Sequence, residues 1–193
     1  SHGVEPLIER LKYNEALSLA LVMALRRADV AARVAPTCPP LAEGYRTSLL
    51  SRLPFALTEG QVDVLSEIEA DLSTATPMSR LLQGEVGSGK TIVSLLAMLQ
   101  VVDSGRQCAL LAPTEVLAVQ HARALTQLLS DAAVPATVVV LTGSMSQSTK
   151  KRVLLDIVSG QADIVVGTHA LIQEGVEFFD LGLVVVDEQH RFG

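Results

Sequence analysis

The stretch Gly84-Glu85-Val86-Gly87-Ser88-Gly89-Lys90-Thr91 sets three glycines, a lysine and a hydroxyl between two apolar runs. Neither flanking element gains packing from such residues, so they answer to something else. Their spacing is G-x-x-x-x-G-K-[ST], placed after a strand-like run and opening a helical one. Glycines at those positions let the backbone curl until successive N–H groups point inward. A helix N-terminus adds positive potential to that nest. Lys90 then supplies a mobile cation for β- and γ-phosphate oxygens, and the Thr91 hydroxyl is a candidate ligand for Mg²⁺. The bland alternative is a glycine-rich turn that holds nothing.

A second cluster closes the chain. In LGLVVVDEQHRFG, residues 181–193, an apolar strand-like run ends in Asp187 and Glu188. Consecutive acids at the end of a buried strand call for a cation or for solvent. Beside a phosphate cradle, Asp187 is the candidate to hold Mg²⁺ through water. Glu188 is the candidate to orient and deprotonate an attacking water. An acidic turn after a valine-rich strand is the rival reading.

The elements that must position these residues can be read from periodicity. From Arg80 onward strand-like runs fall at Arg80–Gln83, Gln107–Ala112, Ala136–Leu141, Asp163–Val166 and Gly182–Asp187, with helical patterns at Lys90–Ser104, Thr114–Ser130 and Ser146–Ser159. Near-continuous valine and leucine strands alternating with helices predict an α/β fold with a parallel sheet covered on both faces. Ligands of such sheets sit at the carboxyl ends of the strands. Upstream, Thr58 with Gln61 has capping-box spacing and predicts a helix to about Leu72, preceded by a short helix over Tyr45–Arg52. Residues 5–33 read as one long helix with a wide apolar face. The run Ala16–Leu25 is too short to span a membrane and follows Glu5, Glu9 and Glu15, which disfavours a signal-peptide reading. The proline-rich stretch Val34–Gly44 reads as a linker, dividing residues 1–44 from a domain over 45–193.

With 49% hydrophobic and 19% charged residues, the chain is built to fold rather than to stay disordered. A formal charge of −6 argues against a generally basic coat for nucleic acid, though not against a local track built from amides and helix ends. The one dense basic run, Lys150-Lys151-Arg152, reads as a solvated helix face, with DNA contact as the alternative. Two cysteines, Cys38 and Cys108, form no disulfide framework and fit a reducing cytosol. They and four scattered histidines suggest no zinc site.

Asp187-Glu188-Gln189-His190 is a DExH-type box, and with the phosphate loop it resembles the first motor domain of superfamily 2 helicases. The segments LPFALTEGQ, RLLQGEVGSGKT, APTEVLAVQH, LTGS, GTHALIQ and VVVDEQHRFG resemble, in order and spacing, the RecG family of bacterial DNA helicases. They run from about Leu53 to Gly193, most of the chain. The run LKYNEALSLALVMALRR also resembles the helix that precedes the motor in that family. Transcription-repair coupling factors are the next nearest family, and Gln189-His190 with GTHALIQ favours RecG. Glu85 departs from the aspartate common in the family, at a position that does not define the cradle.

This resemblance implies a RecA-like domain of an ATP-driven double-stranded DNA translocase that remodels stalled forks and branched junctions, in the bacterial cytoplasm at the nucleoid. It implies that Gln61 reads the adenine edge, a role that can coexist with helix capping. Pro113, Thr114 and Glu115 become a DNA-contacting motif, joined by Gly143, Ser144, Gly167, Thr168 and His169, with helix capping and turn chemistry as the plainer readings. Gln189 and His190 would link the nucleotide site to those motifs. The partners implied are forked DNA, a second RecA-like domain with an arginine finger, and a wedge domain, with no membrane. In the family a further strand lies between those bearing the phosphate loop and the acidic box. The expectation is therefore that these two strands lack a common neighbour and leave backbone edges unpaired. Doubtful stability alone would follow from those edges, and Mg·ATP binding with negligible hydrolysis from an arginine finger that the second domain supplies. A P-loop kinase or transporter-type ATPase and a decayed, non-catalytic motor are the competing classes. The first leaves APTE and GTHAL unexplained, and intact Lys90, Thr91, Asp187 and Glu188 speak against the second.

Overall fold

The computed structural model describes residues 19–23, 37–74, 79–82, 88–169, 172 and 175–187. Six strands form one sheet in the order β2-β1-β6-β3-β5-β4. In chain order they are β1 Leu19–Met23, β2 Ser79–Leu82, β3 Gln107–Ala112, β4 Val138–Leu141, β5 Ile164–Thr168 and β6 Leu181–Asp187. The helices are α1 Tyr45–Ser51, α2 Glu59–Leu72, α3 Ser88–Asp103, α4 Glu115–Asp131 and α5 Gln147–Val158. Strands β6, β3, β5 and β4 pair in parallel, as the alternation of apolar strands and helices predicts.

The core explains the burial pattern of the sequence. β3 is buried at every position, and α3 is enclosed from Ile92 to Val102, so both are apolar all round rather than amphipathic. Of the polar side chains buried within that stretch, Ser94 and Gln100, Gln100 donates from Nε2 to the carbonyls of Cys38 and Glu69. Buried amides persist only when bonded in this way. Cys38 itself is fully buried, and its N–H donates to the Leu72 carbonyl, so the main core reaches back beyond Gly44 to residue 38. Both cysteines are free thiols, and burial pushes each of them up from the usual thiol range.

Local signals at helix starts are realised in full. Thr58 accepts from the Gln61 N–H while the Gln61 side chain accepts from the Thr58 N–H, a complete capping box. Thr114 and Ser146 cap α4 and α5 through their hydroxyls. The first amides of α1 are satisfied from a distance by Asp103, the last residue of α3.

Two expectations are corrected at the N-terminal segment. Leu19–Met23, within the span expected to be one long helix, is strand β1; the rest of residues 5–33 lies outside the described residues. β1 runs antiparallel between β2 and β6, pairing Leu19 with both Leu82 and Asp187 and Val22 with both Ser79 and Val184. The strands leading to the phosphate loop and to the acidic box therefore do share a neighbour, and the unpaired edges expected between them are closed. The physical reason is that a short apolar run does not choose between helix and strand by itself. Two facing edges of unpaired N–H and C=O groups decide for the strand, since burying them unbonded costs more than helix propensity returns. Among the described residues no helix is long and apolar enough to cross a membrane.

Candidate functional site

The parallel strands deliver the candidate residues to one edge of the sheet. Asp187 ends β6, Pro113 and Thr114 follow β3, Gly143 and Ser144 follow β4, and Gly167, Thr168 and His169 lie at the end of β5. At the same edge α3 begins, its first turns carrying Ser88, Gly89, Lys90 and Thr91. Gly84, Glu85, Val86, Gly87, Glu188, Gln189 and His190 lie outside the described residues.

Two buried charged groups dominate this edge. Lys90 is 7% exposed and Asp187 is fully buried. Lys90 Nζ and Asp187 Oδ1 each have no hydrogen-bond partner among the described residues. Burial pushes the Lys90 ammonium down from its ordinary value, and the charge of Asp187 partly opposes that shift. Leaving a buried ammonium and a buried carboxylate oxygen unsatisfied is costly in a folded protein. The donor set fits a phosphate tail with a hard cation, for which ammonium, hydroxyl and carboxylate are the usual ligands. Lys90 and Thr91 would hold the group from α3, and Asp187 from β6.

The other oxygen of Asp187 is held. His121 Nε2 lies 2.6 Å from Asp187 Oδ2, with the imidazole side chain 12% exposed. The sequence reading missed this residue. A signal existed: His121 falls three residues after Ala118 and four before Leu125, both on the buried stripe of α4. A titratable side chain at such a position requires a partner.

Gln61 is committed on both sides of its amide. Oε1 closes the capping box, and Nε2 donates to the Gly89 carbonyl at 3.2 Å. One N–H of Nε2 remains for a further acceptor. A side chain at 89 would place its Cβ 2.7 Å from that nitrogen, so Gln61 could hold this position only by shifting its amide.

The turn after β4 is handled differently. Glu115 Oε1 accepts from Gly143 N–H at 2.7 Å and from Ser144 N–H at 3.2 Å, bringing together two of the motifs read as DNA-contacting. A carboxylate thus already sits on two adjacent amides. At the end of β5, the Nε2 atom of His169 is buried without a partner among the described residues. On α5, Lys151 and Arg152 are exposed and Lys150 half-buried, while Val153 and Ile157 face the core.

Comparison with known proteins gives the family. The family model for DEAD/DEAH box helicases matches residues 58–193. An ATP-dependent DNA helicase RecG of Mycobacterium leprae is 51% identical over 194 residues, covering 96% of this chain and 26% of the relative. The protein of the same name from Aquifex aeolicus is 45% identical, covering 96% of this chain and 23% of its own length. This chain therefore spans about a quarter of the length of the curated relatives it matches. A solved structure of RecG bound to a three-way DNA junction superposes with a TM-score of 0.70 at 39% identity, covering 80% of this chain and 21% of that one.

Proposed function

This chain belongs to the DEAD/DEAH box helicase family, and on that premise we propose that it is the ATP-binding half of a RecG-like double-stranded DNA translocase. Its task is to remodel stalled forks and branched junctions. The reading rests above all on one observation. A buried Lys90 ammonium and a buried Asp187 oxygen lack partners among the described residues at the edge where α3 begins.

In this reading the amides of residues 84–91 cradle the phosphates, with Lys90 beside them, and Thr91 and Asp187 hold magnesium. The ion, when bound, would neutralise charge on the phosphate oxygens. Glu188 orients and deprotonates water. Gln61 keeps α2 against the loop through Gly89 and offers its remaining N–H to the adenine edge. Thr114, Ser144, Thr168 and His169 stand along the same edge for a DNA backbone, where hydroxyls and amides position a duplex without reading its sequence. Gln189 and His190 link the two functions. A second RecA-like domain, contributing an arginine finger, and a wedge domain complete the motor. Such fingers contribute about 10³–10⁵ in rate in P-loop systems, so this segment alone binds Mg·ATP but turns it over negligibly.

The similarity to proteins named RecG, and to one solved on a three-way junction, supports branched DNA as the substrate. The test is ATPase of the full-length protein with forked, linear duplex and single-stranded DNA, with Glu188→Gln as control. Forked DNA should stimulate most, and the control should be inactive on all three. Equal stimulation by linear duplex would remove the junction assignment.

A further inference from the structure

We propose that His121 is a positioning residue for the nucleotide's metal. It fixes the orientation of the Asp187 carboxylate and thereby selects Oδ1 as the oxygen that meets the ion. The inference rests on the nucleotide-binding reading above and adds to it a residue from α4, outside both the phosphate loop and the acidic box.

A terminal carboxylate torsion is broad, so an aspartate at the end of a strand does not by itself present one oxygen in one direction. Here Oδ2 is 2.6 Å from His121 Nε2, while Oδ1 is buried with no partner among the described residues. A carboxylate only accepts, so Nε2 must carry the proton of this bond. That leaves the opposite oxygen as the free acceptor. His121 is itself held in place. Its helix buries Ala118, Leu125 and Leu129, and its ring lines a small cavity with Thr91, Ser94, Met98, Leu110 and Leu125. The imidazole therefore stands beside both side chains read as metal ligands, touching Asp187 and sharing a wall with Thr91. Outer partners of ligating carboxylates typically change metal affinity by about 10- to 100-fold when removed.

The experiment compares wild-type protein with His121→Leu, which keeps bulk but loses the donor, and His121→Gln, whose amide nitrogen can reach where Nε2 lies. In the full-length protein, Mn²⁺ binding is titrated by electron paramagnetic resonance with a non-hydrolysable ATP analogue present. Nucleotide affinity is measured separately in EDTA. The expected result is Mn²⁺ binding weakened about 10- to 100-fold in His121→Leu and restored to within a few-fold in His121→Gln, with metal-free nucleotide affinity within twofold throughout. Unchanged Mn²⁺ affinity in His121→Leu would overturn the proposal while leaving the nucleotide site intact. So would equal losses with and without metal, or no recovery in His121→Gln, since either marks a merely structural role. Wild-type protein that binds no Mn²⁺ with the analogue would remove the nucleotide reading itself.

Discussion

Where α3 begins, the protein buries an ammonium and a carboxylate oxygen, and neither has a partner among the described residues. At the turn after β4, on the same edge of the same sheet, two exposed amides are closed by the Glu115 carboxylate. On the proposed reading the first region is completed by a ligand of matching charge, and burial raises what that ligand is worth, because electrostatic attraction strengthens in a low dielectric. The second is complete by itself. A nucleic-acid phosphate reaching those amides must displace Glu115, or bind around it through Thr114 and Ser144. On the proposed reading the two parts of this edge differ in kind: one would take up a ligand, and the other would exchange an internal anion for an external one. Removing a charge should therefore have opposite consequences for the free protein at the two places.

The largest expected effect is at Lys90. Lys90→Met should weaken nucleotide binding by at least about a hundredfold, as loss of one partner from a buried charge pair does. The nucleotide-free protein should melt no lower than wild type, because an unsatisfied buried ammonium has gone. The pH dependence follows the same logic. Burial lowers the Lys90 ammonium from its ordinary 10.5, so between its folded value and 10.5 the unfolded chain holds more protons than the folded one. Stability from this group rises with pH across that window. The rise should be smaller in Lys90→Met, and thermal melts from neutral to alkaline pH measure it. A variant less stable than wild type at neutral pH would break the contrast.

At the other region the sign reverses. Glu115→Ala leaves two amides without their charged acceptor and should cost about 1–2 kcal/mol. In a domain of this size that lowers the melting temperature by roughly 2–4 °C per kcal/mol. Glu115→Gln, keeping an acceptor without the charge, should fall between. Differential scanning calorimetry decides, and a neutral Glu115→Ala would mean that the turn holds its shape without the carboxylate.

The smallest effect is at Gln61, where both faces of the amide are already engaged. Gln61→Ala should cost about 1 kcal/mol through the loss of one half of the capping box. It should weaken nucleotide binding far less than Lys90→Met. Equal losses of nucleotide affinity in the two variants would mean that adenine recognition, not the phosphate cradle, dominates binding.

Much of this comparison was legible in the residues. The spacing that ends at Lys90 and Thr91 and the acid that ends a valine run point to the edge where the buried Lys90 and Asp187 lie. Thr58, Thr114 and Ser146 announce their helices because capping is local chemistry. What the sequence does not carry is long-range pairing. Glu115 reads as a DNA contact, yet its bond to residues 28 and 29 positions later arises only when β3 and β4 end at the same edge. His121 appears as one of four scattered histidines until α4 is laid against β6. Leu19–Met23 is misread as helix because its partners, β2 and β6, come 56 or more residues later.

The central claim is that the buried Lys90 and Asp187 groups, unpartnered among the described residues, form half of a magnesium–nucleotide site. Isothermal titration of the full-length protein with a non-hydrolysable ATP analogue, in magnesium and again in EDTA, tests it most directly. The account predicts saturable binding that is stronger with magnesium and lost in Lys90→Met. Binding indifferent to magnesium and to that substitution, or no binding by the folded protein, would contradict it.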